Sequence, residues 1–194
     1  MAGQHKRTEK KLEAGQRAPA FKAVSVKGKA ISLAHAGDKP LLLVFLRYAG
    51  CPWCNLTIHR LTLEYPLLAK QGCKVVAFIQ SDSDSIRRNI YERHEIEPPF
   101  PIVADPDREI YKLYGVGRSV SALPKSIIKL PDWVHAVRHL GYRQTRIDGD
   151  FFQVPALFLV SGKTHKLIRC RYATSFYDDE AFISILDPLL FGDR

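Results

Sequence analysis

The run KPLLLVFL, residues 39–46, is apolar on both of its faces. A strand with one wet face alternates apolar and polar residues, so this run belongs in the middle of a buried, partly parallel sheet covered on both sides. It is far too short to span a bilayer. CKVVAFIQ (73–80) repeats the pattern, and PFPIVAD (99–105) supplies a shorter third strand. Helical patterns fill the gaps. Leu56, Ile58, Leu61, Leu63 and Leu67 give one broad apolar face, with Pro66 expected to kink or end that helix. SDSDSIRRNIYERHEI (81–96) opens with capping residues, and DPDREIYKLYGV (105–116) reads as a helix with Asp105 as N-cap, Pro106 at its first position and Gly115 at its end.

Strand and helix alternate, which predicts an α/β sheet flanked by helices. An N-terminal hairpin precedes it, FKAVSVKGKAISL turning at Lys27-Gly28, and ALFLVSGKTHKLIRCRYA closes it with a second hairpin at Ser161-Gly162-Lys163. DDEAFISILDPLL (178–190) reads as a C-terminal helix. A length of 194 residues fits one domain with some decoration. The expected boundaries are a flexible basic arm over 1–16 and a single domain over 17–194. A less regular insertion at about 118–153 contains one short capped helix, PDWVHAVRHLG, stopped at Gly141.

The polar N-terminus has no apolar leader segment, so a cytoplasmic protein without membrane contact is the expectation. The net charge of +9 raises the question of acidic partners or RNA. However, Arg118, Lys125, Lys129, Arg138, Arg143 and Arg146 are scattered, and no RNA-binding motif accompanies them. A nucleic-acid partner is therefore not expected.

Function is concentrated in AGCPWCNL, where Cys51 and Cys54 stand three apart at a predicted helix start. Gly50 is the expected N-cap, and Pro52 loses nothing in the first turn because its missing N–H would have been unpaired. Residues i and i+3 share a helix face, so the two sulfurs can approach bonding distance. Unpaired N–H groups and the helix dipole favour the thiolate, which makes Cys51 the nucleophile. Cys54, one turn further in and expected to be more buried, is the resolving thiol. Arg47 and Arg60 are close in sequence, with orientations the sequence does not give. Trp53 is expected beside Cys51, either touching substrate or simply packed.

Structural zinc needs four ligands, and no second CxxC exists; His59 is at best a third ligand and reads as a helix-edge residue. No metal and no organic cofactor is expected. Cys73 and Cys170 read as small buried hydrophobes, or as distal resolving thiols.

Several segments in order resemble the peroxiredoxin-like (AhpC/TSA) branch of the thioredoxin superfamily: GQRAPAF, KGKAISL, VFLRYAGCPWC, VADPDREIYKLYGV and GDFFQVPALFLVSGKTHKLIRCRYA. The resemblance implies a thioredoxin-like fold, with a central mixed sheet flanked by helices and an N-terminal hairpin extension. It also implies a Cys51/Cys54 dithiol cycle on disulfide or peroxide substrates, a thiol electron donor of thioredoxin or glutathione type, and allows a homodimer. Val154-Pro155 stands where that superfamily keeps a cis-proline whose preceding backbone pairs with substrate. Peroxidases of the family carry Pro-x-x-x-Thr/Ser-x-x-Cys and a peroxide-activating arginine. Here Val44 and Tyr48 occupy those Pro and Thr/Ser positions, and no arginine accompanies Val154-Pro155. These departures favour dithiol–disulfide exchange, and CPWC also resembles the CPYC of glutaredoxin-like thiol transferases. The thioredoxin-type buried acid is absent from LLLVFL. A redox-gated or zinc-dependent binding protein is the non-enzymatic alternative.

Overall fold

The computed structural model describes residues 10–178 together with 184 and 185. A two-stranded antiparallel hairpin, β1 (Lys22–Val24) and β2 (Ala30–Ser32), leads into a second, five-stranded sheet. The strands of that sheet are β3 (Leu41–Phe45), β4 (Lys74–Ile79), β5 (Ile102–Ala104), β6 (Ala156–Val160) and β7 (Leu167–Tyr172). Their spatial order is β5-β4-β3-β6-β7, with β3, β4 and β5 parallel and β6 and β7 antiparallel to their neighbours. The expected mixed sheet with its hairpin extension is therefore present.

β3 is central because it has no wet face: all five of its residues are at most 1% exposed. One side of the sheet (Leu42, Val44, Val75, Ala77) packs under Ile58, Leu61 and Leu68 of α1 (Pro52–Lys70) and under Ile86 and Ile90. The last two belong to α2 (Ser83–Ile86) and to the π-helical turn Arg87–Tyr91 that continues it. The other side (Leu41, Leu43, Phe45, Val76, Phe78) packs against the hairpin through Ile31 and against α3 (Glu109–Leu113) through Ile110 and Tyr111.

Four expectations shift. Pro66 neither ends nor interrupts α1, which continues to Lys70 because Leu68 beyond it is fully buried. α3 starts only at Glu109, with Arg108 in the left-handed region; Asp105 still caps it from a distance, its carboxylate accepting from the N–H groups of Glu109, Ile110 and Tyr111. Leu12 to Gln16, expected within a flexible arm, lie against β7: the Leu12 N–H donates to the Tyr172 hydroxyl and Gly15 to the Leu167 carbonyl. The insertion holds two helices, α4 (Ala122–Ile127) and α5 (Leu130–Arg138), with Gly141 at positive φ beyond the second. The predicted C-terminal helix lies almost wholly outside the described residues; Ser184 and Ile185 are helical.

Tyr111 ties the sheet together where β3 and β4 end. Its fully buried hydroxyl bonds to the Leu46 carbonyl (2.5 Å) and the Phe78 carbonyl (2.8 Å). Tyr111→Phe removes this donor from the Leu46 carbonyl without opening a cavity, while the Phe78 carbonyl keeps the Leu46 N–H at 3.0 Å. We expect a loss of about 1–3 kcal/mol in urea unfolding; an unchanged midpoint would mean that the two carbonyls do not depend on this hydroxyl.

Candidate active site

The parallel strands point their carboxyl ends at one rim of the sheet, the usual location of a site in α/β folds. From β3 the chain passes through Leu46, Arg47 and Tyr48 to Cys51. Cys51, rather than Gly50, is the N-cap of α1: its backbone is extended (φ −83°, ψ 122°) while its carbonyl accepts the first helical bond, from the Asn55 N–H at 3.0 Å. Gly50 is instead held from outside. Its carbonyl accepts from the Thr145 N–H (3.1 Å), and a Cβ there would sit 2.1 Å from Thr145 Oγ1.

Both thiols are free and both are buried, Cys51 at 0% and Cys54 at 1% exposure. The expected contrast in burial is absent because residues 142–153 lie across the rim. The contrast is in proton affinity. Burial pushes the Cys51 thiol up, but the Cys54 thiol, the Arg47 guanidinium and the N–H groups of Cys54 and Trp53 together outweigh it and bring it down to about 6. Burial and the neighbouring Cys51 charge push Cys54 well up. Cys51 is the thiolate and Cys54 keeps the proton.

Arg47 is the residue whose role the sequence did not give. It is 1% exposed, and one guanidinium nitrogen donates to Cys51 Sγ at 3.4 Å while another donates to the Phe151 carbonyl at 2.5 Å. Its charge lies 3.8 Å from the Phe176 ring centroid, with Phe151 (5.2 Å) and Tyr48 (5.1 Å) further out. The Arg47 N–H reaches Cys54 Sγ at 3.4 Å, and its carbonyl accepts from Gln80. Nε is buried without a partner among the described residues. Arg60 turns away, toward Asp132 (3.8 Å) and the Tyr177 ring.

The cover is pinned along its length. Gln144 accepts from the Tyr48 hydroxyl (3.3 Å), Asp148 from Ser81 (2.7 Å), and the Asp150 N–H donates to Gln80 (2.8 Å). Trp53 is half-buried against Phe176, its indole N–H donating to the Lys129 carbonyl at 3.2 Å, so it is packed. Val154 and Pro155 directly precede β6, but the expected pairing edge is already filled: Val154 N–H donates to Gly117, Gln153 bridges Arg118, and Ser119 N–H donates to Phe152. No cis peptide occurs among the described residues, so Val154–Pro155 takes the trans form that X-Pro bonds ordinarily prefer. Pro155 lines a slot of about 20 Å³ with Leu46, Thr57 and Tyr177. Burial raises Cys73 to about 12 and Cys170 to about 11, which suits inert thiols. Among the described residues no cluster of His, Cys, Asp and Glu is arranged to hold a metal.

A second set was also missed. Asn55 Nδ2 donates to the carbonyls of Ala49 (2.7 Å) and Cys51 (3.0 Å), while its Oδ1 meets His94 Nε2 at 2.8 Å. His94 Nδ1 meets the Tyr142 hydroxyl (3.3 Å), which meets His59 Nδ1 (3.0 Å). With His94 neutral, one assignment gives every proton an acceptor: His59 donates to Tyr142, Tyr142 to His94, and His94 to Asn55. The faint signal for this set was a polar Asn in the buried first turn of a helix.

The AhpC/TSA family model matches residues 14–162. Over 108 residues the chain is 30% identical to a 1-Cys peroxiredoxin of Dictyostelium discoideum, covering 54% of this chain and 45% of the relative, so the match spans less than half of that protein's length. Among solved structures, a yeast mitochondrial 1-Cys peroxiredoxin superposes with a TM-score of 0.64 at 17% identity, over 92% of this chain and 76% of the other. An Arenicola marina peroxiredoxin 6 gives 0.66 at 16% identity, over 92% and 73%. At such identities the structural likeness speaks for the thioredoxin-like fold. No helix among the described residues is long and apolar enough to cross a membrane.

Burial first, then the charges of His59 and Arg93, pushes the His94 imidazole down to about 3. A depressed histidine stays neutral in the fold while the unfolded chain takes up its proton below about 6.5, so its contribution is present above that pH and is lost as pH falls toward 3. We expect His94→Gln to flatten the fall of unfolding free energy between pH 6 and 4 by about 1.4 kcal/mol per pH unit. Urea unfolding of both proteins at stepped pH measures this, and parallel slopes would remove His94 from the buried network.

Proposed function

The chain belongs to the AhpC/TSA family, and from that premise we propose that it is a thiol-dependent oxidoreductase reducing peroxides through Cys51 and Cys54. The observation that carries this reading is the buried Arg47 guanidinium donating to Cys51 Sγ at 3.4 Å. The family's hydroxyl and proline positions hold Tyr48 and Val44, which on sequence favoured disulfide exchange. Arg47, directly after β3, supplies a guanidinium at the thiolate by another route, and its spare Nε donor suits a peroxide oxygen. The filled edge beside Val154 leaves no open ladder for a protein disulfide to join, which also favours a small substrate.

The Cys51 thiolate attacks the nearer oxygen of ROOH. The O–O bond breaks, the departing alkoxide takes a proton and leaves as ROH, and Cys51 becomes a sulfenic acid. Arg47 stabilises the thiolate before attack and the negative oxygen that develops during it. Cys54 sulfur then attacks the sulfenic sulfur, water leaves, and a Cys51–Cys54 disulfide forms. Two thiols of a thioredoxin- or glutathione-type donor return it to the dithiol and are themselves oxidised. The cycle fits a reducing, cytoplasmic setting and needs no metal. Trp53 and Pro155 serve in this reading by shaping the walls around the dithiol.

Stopped-flow mixing of reduced protein with one equivalent of hydrogen peroxide, followed by mass spectrometry, should locate a Cys51–Cys54 disulfide. Cys54→Ser should stop at the Cys51 sulfenic acid. Arg47→Met should slow the step on the order of 100-fold, the size expected on removing one preorganised donor. It should also move the midpoint of Cys51 alkylation by iodoacetamide upward from about 6, alkylation rising with pH as the thiolate forms. A Cys51 that stays unoxidised, or an Arg47→Met rate equal to wild type, would refute the reading.

A further inference from the structure

Beside the redox site, and separate from it, lies a cleft of about 540 Å³ lined by Asp82, Ser85, Arg88, Asn89, Arg93, Thr145, Arg146 and Asp148. Its volume falls in the range of small-molecule sites. Three guanidinium groups share it. Arg88 and Arg146 form no ion pair among the described residues, and Arg93 is bonded only to the Arg143 carbonyl (2.9 Å). Burial lowers the Arg93 pKa, the mark of a cation held without a counter-charge. The two acids of the cleft each accept a neutral hydrogen bond, Asp82 from the Ser85 N–H (2.7 Å) and Asp148 from the Ser81 hydroxyl (2.7 Å), and neither forms an ion pair with the three arginines among the described residues. Three guanidinium groups against two carboxylates leave the cleft with an excess of positive charge, which suits a ligand with several anionic oxygens.

The cleft is mechanically joined to the nucleophile. Thr145 lines it and gives its hydroxyl proton to Asn89 Oδ1 (2.9 Å), another lining residue. The same residue's N–H holds the Gly50 carbonyl, next in the chain to Cys51. A Cβ on Gly50 would lie 2.9 Å from the Arg146 carbonyl, so cleft wall and nucleophile loop are in close contact there. We propose that this cleft is a binding site for a small polyanion, bearing phosphate or several carboxylates, whose occupancy is transmitted to Cys51 through Thr145. The site is independent of whether Cys51 reduces peroxides. Coupling between two equilibria is reciprocal, so the factor by which the anion shifts the Cys51 thiol–thiolate equilibrium is the factor by which ionisation of Cys51 changes the affinity for the anion.

The test uses reduced full-length protein with inorganic pyrophosphate and, in parallel, citrate, by calorimetry at low ionic strength. One pyrophosphate per chain should bind, and Arg88→Ala/Arg146→Ala should weaken it about tenfold or more. Arg138→Ala/Lys163→Ala, an equal loss of charge elsewhere, should leave it unchanged. Citrate binding at the same arginines would show that the cleft reads charge, and its failure would show a phosphate preference; either supports the site. Absence of binding by both anions, or equal weakening in the two double variants, would overturn it. At saturating pyrophosphate, at a pH below the Cys51 thiolate midpoint, the rate of Cys51 alkylation should change by roughly fivefold or more, the lower end of the usual range of coupling. That change should vanish in Thr145→Val. Binding with an unchanged alkylation rate would overturn the transmission to Cys51, and neither readout requires peroxidase activity.

Discussion

A cation sealed beside a thiol governs this structure. Taking the Arg47 guanidinium out of water costs several kcal/mol unless its field is answered inside the protein. It is answered from several directions: Cys51 sulfur, the Phe151 carbonyl, and the faces of Phe176, Phe151 and Tyr48. The partner with the most to give is Cys51, which can become an anion. Mutual stabilisation follows: the thiolate makes the buried cation tolerable, and the cation makes the thiolate stable near neutral pH. Remove either and the other is left as an unpaired buried group. The arrangement therefore ties integrity of the rim to reactivity of one sulfur.

That pairing also separates the roles of two cysteines one helical turn apart. A negative charge on Cys51 forbids one on Cys54, whose burial already favours the protonated thiol. In the proposed cycle one sulfur is the nucleophile at rest, and the other becomes one only after the first has been oxidised and its charge is gone. The order of events is set by electrostatics. Asn55 supports this order by holding the Ala49 and Cys51 carbonyls, with the chain through His94 and Tyr142 fixing its amide.

Much of the fold was legible because its causes are local. LLLVF declares a strand without a wet face, KGK a turn, and Pro52 a helix start. The placement of Cys51 and Cys54 at a helix start followed from their spacing and from Pro52. Arg47 was not legible, since an arginine after a buried strand ordinarily leads the chain to water. Its inward turn depends on Phe151, 104 residues away. His94 and Asn55 are 39 residues apart, and either alone reads as a polar residue on a helix surface. Pro66 shows the opposite failure: a local rule predicted a break, and the burial of Leu68 overrode it.

The closed rim raises the question of how a substrate reaches a sulfur with no exposed surface. Gly149 and Gly50 mark where the strap and the loop touch most closely: a Cβ on Gly149 would lie 3.1 Å from Gln80 and Tyr48 atoms, and one on Gly50 would meet Thr145. The strap is held by polar contacts at Gln144, Thr145, Asp148, Asp150 and Phe151, neutral hydrogen bonds worth about 0.5–1.5 kcal/mol net and those to charged groups about 1.5–3. A set of such bonds can open locally at far less cost than unfolding the sheet below. Opening, however, brings water to the Arg47–Cys51 pair and weakens the field that activates the thiolate. Access and reactivity are thus opposed, and the compromise that best serves the chemistry is a brief opening that admits a small oxidant and closes around it. In the proposed reaction a bulky substrate would hold the rim open and weaken the field of Arg47 at Cys51, so the closed geometry favours small substrates on energetic as well as steric grounds.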